Sequence, residues 1–155
     1  MQSYFELPFE FELIAEASNN MTKKIYVIDG DDFSNLPEFA AVFSKVVLQD
    51  YVWQGNLNAF NDILRGGFGT PEEGFVLIWK NSIKSKRDLG YSETERGLEQ
   101  LSETCLPDNQ PDLLQYKEQA RNRQGGTIFD WLIEILREHG PGGSEQEDGV
   151  ILKLE

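Results

Sequence analysis

Residues Phe75 to Trp79 read FVLIW, five apolar side chains with no polar break. Such a run is what a strand covered on both faces requires, and strands of that kind belong to parallel sheets whose crossovers lay helices over them. Gly66-Gly67-Phe68-Gly69-Thr70-Pro71 breaks the chain just ahead, so the run starts as a separate element. FVLIW therefore reads as the central strand of a parallel sheet.

Working outward, Lys24 to Ile28 (KIYVI) is a β-branched run ending at the turn signal Asp29-Gly30, and Val150 to Leu154 reads as a last strand. Asn35 and Glu38 stand in capping-box spacing, and Pro37 suits a first helical turn. Phe39, Phe43, Val46 and Val47 then fall at helical spacing, which predicts a helix ending near Leu48. Thr127 and Asp130 form a second capping box. It precedes a face of Ile128, Leu132, Ile135 and Leu136, opposite Asp130, Glu134 and Glu138. Strands separated by helices give an α/β fold, a three-stranded parallel sheet flanked by helices with right-handed crossovers.

The 155 residues fit a single domain, and folding at that size buries roughly 70% of the unfolded chain's surface. Three pieces lie outside the core. Residues 1–20 are an N-terminal extension in which Phe9, Phe11 and Leu13 alternate with Glu10 and Glu12, the pattern of an extra edge strand guarded by charge. Residues 90–126 read as a helical insert, with a capping box at Ser92 and Glu95 and breaks at Pro107, Pro111 and Gly125-Gly126. Residues 140–149 (GPGGSEQEDG) read as a flexible loop.

Fourteen basic against 27 acidic residues give a net charge of −13. That charge disfavours direct binding of nucleic acid and steers a basic partner inward, although acidity also serves plain solubility. No apolar run suits a membrane span or signal-peptide core, and Cys105 has no second cysteine to bridge; the expectation is a cytoplasmic protein, monomeric when free. Catalytic motifs are sparse. Asp29-Gly30-Asp31-Asp32 puts Phe33 and Ser34 where a calcium loop needs an oxygen ligand and a glycine, so it reads as a turn. The Gly66–Gly69 loop lacks the lysine and hydroxyl of a phosphate cradle. His139 is the sole histidine and suits a helix C-terminus, while Cys105 suits packing in the insert. No metal or cofactor set emerges, and no pair among the 27 carboxylates stands out as an acid/base couple.

The chemistry is concentrated in Asp50 to Leu64, DYVWQGNLNAFNDIL. Asn56 is a good N-cap, and Leu57, Phe60 and Leu64 place one helix face on the core, leaving Asn58, Asn61, Asp62 and Arg65 on the wet face. Ahead of it, Tyr51, Trp53 and Gln54 form an aromatic and amide loop, the composition of a protein-binding surface. The competing reading of the same residues is an ordinary polar helix face with loop aromatics folded back into the core.

Strand KIYVIDG, the helix after it, YVWQGNLNAFNDIL and strand FVLIWKN together resemble the barstar family, intracellular inhibitors of the ribonuclease barnase. The positions that match are Asn56, Leu57, Ala59, Phe60, Asp62, Leu64 and Trp79, within a similarity over residues 23–89 that continues more weakly over 127–155. The resemblance implies a barstar-like, non-enzymatic immunity protein that plugs the site of a basic ribonuclease with acidic side chains. It assigns partner contacts to Asp62, Asn58, Asn61, Trp53, Tyr51, Gln54 and, from the last core helix, Glu134. Asn58 stands where the family has a second aspartate and Asn61 where it has tryptophan, which argues against barnase itself as the target. The alternatives are an immunity or adaptor protein for a toxin that is not a ribonuclease, and an enzyme built on helix carboxylates in a concave site.

Overall fold

The computed structural model describes residues 23–103 and 110–155. Three strands, β1 (Lys24–Asp29), β2 (Phe75–Lys80) and β3 (Val150–Leu154), form one sheet in the order β1-β2-β3, both ladders parallel. Lys24 faces Phe75 and Phe75 faces Val150, so FVLIW is the central strand. The six helices among the described residues are α1 (Leu36–Phe43), α2 (Leu57–Arg65), α3 (Ser82–Asp88), α4 (Tyr91–Ser102), α5 (Gln110–Arg121) and α6 (Ile128–Glu138). The N-terminal extension, its edge-strand reading and the packing of Cys105 lie outside the described residues.

Local signals account for the helix starts. The Asn35 side chain accepts from the Glu38 amide at the head of α1, and the Asn56 side chain accepts from Ala59 N–H at the head of α2. At α6 Thr127 and Asp130 close a reciprocal capping box. The box at Asn35 closes differently: Glu38 accepts from the Ser34 amide, while the buried Glu93 reaches across to the Leu36 amide. That use of α4 also explains why the expected box at Ser92 and Glu95 is absent. α4 starts earlier, after Gly90, and Glu93 caps a neighbouring helix instead of its own. Beyond α1 a π-helical stretch, Ser44–Leu48, carries the chain to the predicted end at Leu48.

One sheet face presents Tyr26, Ile28, Phe75, Leu77, Trp79 and Val150 to the helices. Aromatic rings fill the space above it: Phe39 stacks on Trp79 at 5.0 Å between centroids, and Phe43 meets Phe60 edge-on at the same distance. On the other face Val76 of the central strand is buried, whereas Ile25 and Val27 of β1 are exposed.

The glycine-rich segment 140–149, expected to be a flexible loop, folds back over the end of α6, and its glycines serve close approach. A Cβ on Gly143 would lie 2.2 Å from the Glu138 carbonyl oxygen, and one on Gly140 would lie 2.1 Å from that of Val150. The Glu145 amide donates to the Glu138 carbonyl and the Ser144 amide to the Glu138 carboxylate, folding the segment back over the end of α6. A related contact ties the central strand to this loop: Gly74, at φ +89°, would put a Cβ 2.2 Å from the Gly149 carbonyl oxygen. Gly66 also has positive φ, yet open space around it. Gly66→Ala is therefore expected to cost about 1–2 kcal/mol of backbone strain and Gly74→Ala about 3 kcal/mol or more, strain and backbone overlap combined. Urea unfolding midpoints check the order; equal losses at the two sites would refute it.

Candidate functional site

The loop before α2 is organised by Trp53. Its amide donates to Ser44 Oγ at 2.8 Å, its indole N–H donates to the Asn56 carbonyl at 2.8 Å, and its ring stacks on Phe60 at 4.5 Å. At 2% exposure Trp53 is core, which corrects its assignment as a surface contact. The physical reason is the alternation of an extended loop. With Trp53 turned inward, Val52 and Gln54 turn outward, and Val52 is 65% exposed, an apolar surface residue that sequence reasoning passed over. Tyr51 is exposed, its ring leaning edge-on against Phe68 at 4.9 Å.

Phe60, Ile63 and Leu64 bury the inner face of α2, and Leu57 is half-buried beside them. Its outer face carries Asn58, Asp62 and Arg65, all exposed. The expected acidic surface is more nuanced than a bare carboxylate. Arg65 Nη1 donates to Asp62 at 2.7 Å, while its Nε and Nη2 fork onto both oxygens of Glu145 at 2.6 and 2.9 Å. The Glu145 hydrogen bond is the main cause holding the Arg65 guanidinium above its usual range, and the reciprocal bond holds the Glu145 carboxyl below the usual carboxylate range.

Asn61 is half-buried and turned toward α6, not fully on the wet face. Its side-chain oxygen lies 3.0 Å from His139 Nε2, and His139 Nδ1 lies 2.7 Å from Asp148. His139 is wholly buried. It joins α2, the end of α6 and the 140–149 loop. His139, Glu145 and Asp148 bring possible metal-ligand atoms within 4.8 Å of one another. Those atoms are already committed, to Asn61, to Arg65 and to each other, so the group is a closed hydrogen-bonded network rather than an open coordination site. Sequence reasoning placed Arg65 on the wet face without pairing it, and it missed Glu145, His139 and Asp148. The i, i+3 spacing of Asp62 and Arg65 was a legible signal; the other three meet α2 only through the tertiary fold.

A family model described as "Barstar (barnase inhibitor)" matches residues 23–116, well over half of the chain. The chain belongs to the barstar family. Members of that family are inhibitors of barnase-type ribonucleases, not enzymes. Among curated proteins none matches the chain. The barstar match takes in β1, α1, α2, β2 and α3, and runs through α4 into α5, so it reaches into the segment expected to be an insert.

Beside the α2 N-terminus, α4 and α5 border a cleft of about 370 Å³ lined by Leu57, Asn58, Leu98, Tyr116, Ile128 and Trp131. Glu134 stands elsewhere, exposed on α6 above a shallow depression shared with Asp130, Arg137 and Pro141, and its side chain has no hydrogen bond or ion pair among the described residues. No helix among the described residues is long and apolar enough to cross a membrane.

The 140–149 loop carries a pH expectation. Arg65 depresses the Glu145 carboxyl, and hydrogen bonds from Ser144 depress that of Glu138. Folded values below unfolded ones mean that this stabilisation is complete above about pH 4.3 and is lost as pH falls through the folded values. Between about pH 6 and pH 3, hydrogen exchange corrected for its intrinsic rate is expected to accelerate at the Ser144 and Glu145 amides and to hold steady in β2. Unchanged protection of the loop at pH 3 would contradict the assignment.

Proposed function

We propose that this chain binds a barnase-type ribonuclease and blocks its active site with the outer face of α2 and the loop before it. Asp62 is the central contact, with Asn58, Tyr51 and Gln54 around it, and Trp53 holds their positions from beneath. One observation carries the reading: Asp62, at the position that matches the family's inserted aspartate, keeps its side chain 65% exposed on a helix whose other face is locked in the core. A ribonuclease site gathers cations to hold phosphate, so a carboxylate on a rigid element suits it, and the overall charge of −13 draws such a partner in. The cleft beside Asn58 makes the α4–α5 pair a neighbour of this face, a position from which it adds contacts. Glu134 is a peripheral contact at most in this arrangement.

A second reading has a specific observation in its favour. Asn58 and Asn61 replace an aspartate and a tryptophan of the family pattern, and Asn61 is tied to His139, so the face has lost one charge and one aromatic anchor. That suits an immunity protein whose toxin partner is not a ribonuclease. A toxin domain encoded next to this chain, captured by pull-down and assayed on RNA with and without it, decides between the two readings.

Asp62→Ala is expected to leave thermal stability nearly unchanged and to weaken inhibition by at least ~2 kcal/mol, chiefly through faster dissociation. Inhibition equal to the parent's would remove Asp62 from the interface. Raising salt from ~0.05 M to ~0.5 M shortens the Debye length from about 14 Å to about 4 Å and is expected to slow association at least about tenfold. The barnase–barstar complex is itself the reference case for both magnitudes, so they carry over from the family. A salt-independent on-rate, read by stopped flow, would point to a partner that is not basic.

A further inference from the structure

Resting on that reading, we infer that Arg65 is a specificity residue. It offsets the charge of Asp62 in the free protein, and it selects a partner whose cationic site carries a carboxylate beside it. The formal charge of α2 is zero, since Asp62 and Arg65 are its only ionised side chains. A partner bearing cations alone meets Arg65 together with Asp62, and the repulsion cancels much of the attraction.

The geometry explains how Asp62 is nonetheless released. Arg65 gives Glu145 two parallel N–H bonds and Asp62 one, so the stronger hold is on the loop side. A partner cation can take the Asp62 carboxylate while Arg65 stays forked on Glu145. Of the five guanidinium N–H donors, three are used and one on each terminal nitrogen stays free, on a side chain 49% exposed. Those two donors are open to a carboxylate of the partner. Nuclease sites that work by acid–base chemistry place such a carboxylate next to their phosphate-binding cations, so the Asp62–Arg65 pair reads two features of the site where a lone aspartate reads one. Glu145 is then a positioning residue. It holds Arg65 by the fork and leaves Asp62 free to be taken.

The test uses the full chain, with barnase as a nuclease probe of the proposed partner class rather than as the expected natural target, and cytochrome c as a cationic protein without a nuclease site. Stopped-flow association at ~0.02 M salt is compared for the parent, Arg65→Gln, Arg65→Lys, Glu145→Gln and Asp62→Asn, all checked for unchanged melting. Arg65→Gln is expected to associate about threefold faster and Glu145→Gln about threefold slower, the effect of one unit charge about 6 Å away in water. Both differences should vanish near ~0.5 M salt. Arg65→Lys keeps the charge and loses the fork, so it is expected to stay as slow as the parent. Arg65→Gln is also expected to lower the preference for barnase over cytochrome c about tenfold.

Arg65→Gln and Glu145→Gln changing in the same direction, Arg65→Lys as fast as Arg65→Gln, or an unchanged preference would each overturn the inference. So would absence of barnase binding by both the parent and Arg65→Gln. Asp62→Asn separates the two levels: binding equal to the parent's there defeats the proposed inhibitory site, whereas failure of the Arg65 role alone leaves Asp62→Asn defective.

Discussion

The candidate surface depends on a ring that is not part of it. Trp53 is stacked on Phe60, hydrogen-bonded to Ser44 at the end of α1 and to the Asn56 carbonyl at the start of α2, so one side chain fixes where the first helix stops and the second begins. Its amide and indole N–H are both satisfied within the core, which removes the penalty that burial would otherwise impose. Phe39, Phe43 and Phe60 pack around the same ring, and through Phe39 the cluster reaches Trp79 on the central strand. The orientation of Asp62 is therefore inherited from the sheet by way of aromatic contacts.

Charge tells a second story at two scales. Taken over the whole chain, acidity dominates by thirteen charges, and at distances beyond a Debye length a partner responds to that sum. The α2 face proposed to meet it is neutral, and the balance comes from Glu145 on a loop eighty residues away. In the proposed arrangement, attraction at a distance and selection at contact fall to different residues.

Much of the fold was legible because its signals are local. FVLIW gave the central strand, Asn35, Asn56 and Thr127 announced three helix starts through their own side chains, and the spacing of Phe39, Phe43 and Val47 set the inward face of α1 and of the π-helical stretch after it. The misreadings share a different cause. Trp53 was placed outside because an aromatic in a loop with amide neighbours looks the same in one dimension whether the chain twists it in or out. The glycines of residues 140–149 were read only as freedom, and the close backbone approaches at Gly140 and Gly143 had no signal in the sequence. The capping box read at Ser92 and Glu95 does not form, and Glu93 between them caps α1 instead. In the candidate site, α2 and the exposure of Asp62 on it were readable, while His139, Glu145 and Asp148 reach it only because β3 returns the chain to the sheet.

The parallel register carries a consequence for how the molecule comes into being. Lys24 meets Phe75 and Phe75 meets Val150, so no ladder of this sheet can start from a hairpin, and each must wait for the ends of a long loop to find one another. Folding of such a topology is slow for its size. Until both neighbours arrive, FVLIW offers two unpaired backbone edges and an apolar, β-prone segment, the composition from which intermolecular strand pairing grows. Mutual repulsion between chains of charge −13 opposes that pairing throughout the wait, so the acidity that suits encounter with a basic partner also protects the unfinished sheet from its own copies.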